Sequence, residues 1–81
     1  MQIHLTTGQF SSKDALDIIT KMINIKIKFQ EEKIESSHNE EDVKMRETRI
    51  KDLQKELYES RKFIESKGDT VSVESVIKLS A

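Results

Sequence analysis

The chain has 81 residues, enough for one small domain whose lone core is thermodynamically thin. It contains no cysteine, so disulfides and thiolate zinc sites are excluded as staples, and oligomerisation becomes the expected remedy. Charged residues make up 36% of the sequence, yet the net charge is only −1, so there is no global field to draw nucleic acid or anionic lipid.

The opening residues, MQIHLTTGQF, lack the basic and apolar regions of a secretory signal. No stretch approaches the roughly eighteen apolar residues of a membrane span, and the expectation is a soluble, cytoplasmic protein with no membrane partner. Proline is absent, and the only glycines, Gly8 and Gly68, stand just outside two long periodic segments, where breakers belong. One domain over 1–81 is the economical reading.

In chain order, Ile3 and Leu5 alternate with His4 and Thr6, which predicts a short strand at about 2–6. A first helix is expected over about 12–35, capped by Ser11 or Ser12, with Asp14 in the first turn where negative charge suits the dipole. It carries a heptad-type seam at Ile18, Met22, Ile25 and Phe29, and a second apolar stripe at Leu16, Ile19, Ile23, Ile27 and Ile34. Ser36, Ser37, His38 and Asn39 interrupt the period, and Ser37 followed by Glu40 fits a capping box. A second helix then runs over about 38–67, with one seam at Val43, Ile50, Leu53, Leu57 and Ile64. Gly68 is placed to end it in the left-handed region, and Lys62 and Lys67 lie near the negative end of its dipole. Val71, Val73, Ile77 and Leu79 share one parity against Thr70, Ser72, Glu74 and Lys78, predicting a half-buried strand at about 70–79.

The two seams register as an antiparallel, coiled-coil-like hairpin in which facing residue numbers sum to about 75. Ile25 then meets Ile50, Met22 meets Leu53, and Ile18 meets Leu57. Ala15 meets Ser60, which allows close approach, and Phe29 meets Arg46, whose guanidinium can lie on the ring. A hairpin brings both chain ends together, so the terminal strands are placed to pair. The fold class is mainly α, strictly α+β: a two-helix hairpin flanked by short strands.

The seams are unequal. The second helix cannot cover both stripes of the first, and five aliphatic side chains left in water forfeit roughly 1.5–3 kcal/mol apiece. The expectation is therefore a homodimer through Leu16, Ile19, Ile23, Ile27 and Ile34, two hairpins closing into a four-helix bundle. The terminal strands are the other available cover, and their edge is a place where a different protein can dock.

Chemistry is sparse. His4 and His38 are the only histidines, and the hairpin sets them near opposite ends. A metal held by His38 with Glu40, Glu41 and the glutamates of the first helix is conceivable, but a polar turn explains the same residues. The serines lack a nucleophile-elbow context, TTGQ lacks the spacing of a phosphate loop, and the fifteen carboxylates are spread over solvated arcs. Pairs such as Glu47 with Lys51 and Glu59 with Lys62 read as surface ion pairs. No catalytic residue, cofactor or metal site is assigned. The function expected is a non-enzymatic, self-associating protein–protein interaction or assembly module. The alternative is a nucleic-acid-associated regulator in which dimerisation joins two basic patches, although acids dilute both helices and the aromatics are too few for base stacking.

Overall fold

A computed structural model describes all of residues 1–81. The order is strand β1 (Gln2–Ser11), helix α1 (Ser12–Ser36), helix α2 (Glu40–Ser66) and strand β2 (Thr70–Lys78). The helices form a hairpin, and the strands pair antiparallel as a two-stranded ribbon at its open end. The fold is α+β.

Local chemistry sets the boundaries. Ser11 is the N-cap of α1, its Oγ accepting from the Asp14 amide at 3.1 Å. For α2 the cap is Asn39 rather than Ser37: its Oδ1 accepts from the amides of Glu41 (2.8 Å) and Asp42 (3.2 Å). Asparagine beats serine here because one carboxamide oxygen satisfies two orphan amides. Ser37 instead ends α1, and its Oγ accepts from the Asn39 amide. After Lys67, Gly68 takes φ +87°, the left-handed turn that reverses the chain into β2. Ser12 ties the base of the ribbon to this turn: its amide donates to the Asp69 carbonyl and its Oγ to the Gly68 carbonyl.

Strand β1 runs five residues beyond the 2–6 read from its alternation. Thr6, Thr7, Gly8, Gln9, Phe10 and Ser11 continue the ladder opposite Ser75 to Thr70. Their side chains carry little apolar alternation; the partner strand imposes the pairing. A bulge between His4 and Thr6 leaves Leu5 without a partner, so Ile3 and Thr6 come to share a face. Leu5 is 54% exposed as a result. The far end of the ribbon is closed by the Met1 ammonium donating to the Leu79 carbonyl and the Leu79 amide donating to the Met1 carbonyl.

The core is small and sits where the ribbon meets the open end of the hairpin. Ala15, Ile64 and Val71 are buried, with Phe10, Leu16, Ile19 and Val73 packed around them. Farther along the hairpin only Leu53 and Gln30 are buried. The helix register is close to that expected, since Gln30 and Arg46 meet across the hairpin, but the face of α1 is turned. Ile25 is 70% and Phe29 50% exposed and Gln30 faces inward in their place, while Ala15 is buried, in keeping with the close approach expected there. Moving the inward position one residue on, from Phe29 to Gln30, rotates the helix by about 100°. The half-buried Arg46 supplies the reason: its guanidinium needs an oxygen, and Gln30 offers one where Phe29 offers only a ring.

Candidate functional site

The polar seam near the turn is the most highly organised group of side chains. Arg46 donates from Nη1 to Gln30 Oε1 (2.9 Å) and from Nε to Asp42 Oδ2 (3.1 Å). Hydrogen bonds from Arg46 and then from Ser37 hold the Asp42 carboxyl below the usual carboxylate range, with the positive charges of Arg46 and Arg49 adding to them. All the buried side-chain polar atoms have partners. The arrangement fixes how the helices meet, with the Gln30 oxygen and the Asp42 carboxylate both taken up by Arg46. Phe29, expected beneath Arg46, instead lies under the Lys33 ammonium at 5.6 Å from the ring centroid.

Three crevices matter. The largest, about 630 Å³, lies in the corner between ribbon and hairpin, with Ile19, Phe63, Ile64, Val71 and Val73 as its apolar lining and Glu56, Glu59 and Glu74 on its rim. Ser60, also there, spends its hydroxyl proton on the Glu56 carbonyl at 2.7 Å. A second crevice on the same side brings Lys26 and Gln30 of α1 beside Arg49, Asp52 and Glu56 of α2. The third surrounds the turn and contains His38 with Asn39, Glu40, Lys44 and Glu47.

His38 and His4 are both exposed, on the turn and on β1. No three His, Asp or Glu side chains converge to hold a metal ion, and no helix is long and apolar enough to cross a membrane. The ion pairs formed are Lys21 with Asp17 (3.0 Å) and Arg46 with Asp42, and not the expected Glu47–Lys51 and Glu59–Lys62. Lys62 lies over the Tyr58 ring at 4.7 Å and Lys67 over Phe63 at 5.0 Å, apolar bodies beneath cationic heads rather than salt links.

The five stripe residues Leu16, Ile19, Ile23, Ile27 and Ile34 are each half-buried within the single chain. Leu16 and Ile19 belong to the core cluster. The most open apolar side chains of the hairpin are others: Ile25 and Phe29 on α1, and Met45, Tyr58 and Phe63 on α2. Sequence reading placed Ile25 and Phe29 inside and gave Met45 no role. Their only advance signal is that Met45 and Phe63 fall outside the α2 seam. At the far end of the ribbon Met1, Leu5, Ile77 and Leu79 are also exposed.

Comparison with protein-family models, with curated proteins and with solved structures finds no match to this chain.

Proposed function

We propose that this chain is a non-enzymatic, self-associating interaction or assembly module, working as a homodimer in which two hairpins close into a four-helix bundle. The observation that carries the reading is its excess surface. A compact monomer of 9.4 kDa exposes about 5,000 Å²; this chain exposes 6474 Å². The surplus, roughly 1,500 Å², exceeds the ~800 Å² that each partner contributes to an ordinary stable interface. The radius of gyration agrees: 15.2 Å, against about 12 Å for a compact chain of this length. Only five of 81 residues are buried, a core too thin to stand alone at this size.

The corner crevice does not favour an enzyme: its serines, Ser60 and Ser72, have no histidine or lysine in the lining to serve as base, and the Ser60 hydroxyl donates to the Glu56 carbonyl. Nor does the basic surface favour nucleic acid: Lys26 and Arg49 share their crevice with Asp52 and Glu56. Light scattering on the purified chain tests the proposal. The expected mass is twice 9.4 kDa, and thermal stability should rise with protein concentration. A monomer at the highest attainable concentration overturns it.

A further inference from the structure

We infer that the contact between copies is made by one defined face of the hairpin, lying antiparallel on the same face of a second chain. Its members are Met22, Ile25 and Phe29 of α1 with Met45, Arg49, Glu59 and Phe63 of α2. This assignment rests on the self-association proposed above and adds the surface and its orientation.

The residues share a face because the two crevices that open on it share a residue. Glu56 lines both the corner crevice, with Glu59 and Phe63, and the crevice that holds Lys26 and Arg49. Met45 lies one turn before Arg49, while Met22 and Phe29 flank Lys26 at helical spacing. Ile25, Phe29, Met45 and Phe63 are all open to solvent.

Two properties select a second copy as the occupant. The face carries both signs: Lys26 and Arg49 lie on the turn side with Asp52 beside them, Glu56, Glu59 and Glu74 lie on the ribbon side, and there the Lys67 ammonium stands over the Phe63 ring. It is also self-complementary. Gln54 lies midway between Met45 and Phe63, and equally midway between Arg49 and Glu59. Across the hairpin Met22 stands at that level, by the register that Gln30 and Arg46 establish. A two-fold axis crossing there sets Met45 on Phe63 and Arg49 on Glu59 of the second chain, twice over, with Phe29 directed towards the corner crevice. The like-charged Asp52 and Glu56 meet beside the axis, where Lys26 shares their crevice. The surplus surface is large enough for this contact.

Sedimentation equilibrium on the full chain and its variants provides the test. Ile25→Asp, at a position 70% exposed, should weaken the dimer at least a hundredfold, whereas Tyr58→Asp should leave it unchanged. Arg49→Glu and Glu59→Arg should each weaken it about tenfold, and mixing the two variants should restore association, because every cross-chain contact is then again of opposite charge. Within one chain these residues are ten positions apart, about 15 Å along the helix, beyond the ~8 Å screening length at physiological salt. Rescue on mixing therefore reports contact between chains, even where a single variant folds poorly. A wild-type dimer indifferent to Ile25→Asp, or the absence of rescue, overturns this face while self-association stands; a monomeric wild type overturns both.

Discussion

Arg46 donates from Nη1 to the side-chain oxygen of Gln30 at 2.9 Å, joining residues sixteen positions apart across the hairpin, one turn and more from the buried Leu53. The contact is directional, and only one sliding position of the hairpin permits it. A polar pair across the hairpin thus acts as a register pin, as a buried asparagine does in a coiled coil.

That role predicts an asymmetric response to substitution. Arg46→Met leaves the buried Gln30 oxygen without a donor and should cost about 1–3 kcal/mol in chemical denaturation. Adding Gln30→Leu should recover most of the loss, since two apolar partners of similar shape need no hydrogen bond. A strictly additive double mutant would falsify the coupling. The recovered variant should also melt less sharply, because nothing then opposes helix sliding.

How far the hairpin could be read in advance turns on these same residues. Spacing of large aliphatics gave the helix lengths and a register within one position, because both depend on counting residues to the polar break. Ala15 is buried, in keeping with the close approach expected opposite Ser60, but Ile25 and Phe29 were placed inward where Gln30 lies, because large apolar side chains looked the better filling. Burial followed closeness of approach and hydrogen-bond demand, which favoured small Ala15 and polar Gln30. The β1 extension was illegible for another reason. Residues Thr6 to Ser11 have almost no apolar alternation of their own, and β2 recruits them into the ladder.

Acid should loosen the turn end of the hairpin first. Asp42 is held below its ordinary carboxylate range by Arg46 and Ser37, so the folded state binds its proton more weakly than the unfolded chain. Its contribution is complete above the unfolded value and disappears as pH falls through the depressed folded one. Thermal melts of wild type and Asp42→Asn should therefore differ near neutrality and converge in acid. A constant gap down to the lowest pH would assign the difference to something other than this charge.

Gly8 should resist substitution although space surrounds it. Nothing lies within 4 Å of a Cβ built there, yet its φ of +143° belongs to backbone that L side chains rarely adopt. Gly8→Ala should cost about 1–3 kcal/mol through this strain. An exposed control such as Gln9→Ala should stay within about 0.5 kcal/mol. Equal stability of the two variants would mean that the ribbon relaxes without penalty.

The core cluster joins the helices to the ribbon, and its two large buried members should not act independently. Ile64→Ala removes a side chain that is 2% exposed and should cost about 2–5 kcal/mol, a large share of what a domain this small possesses. Val71 packs in the same cluster from β2, so Val71→Ala also opens a cavity there. Once Ile64 is truncated the ribbon has lost the part of its seat that α2 supplies, and the second truncation should cost less than it does alone. The measurement is a double-mutant cycle in urea, with the slope of unfolding free energy against denaturant followed alongside. If the ribbon detaches in Ile64→Ala, that slope should fall as well, since surface exposed before unfolding no longer adds to it. Additive losses with an unchanged slope would mean that ribbon and hairpin are held together elsewhere, at Ser12 and the Gly68 turn.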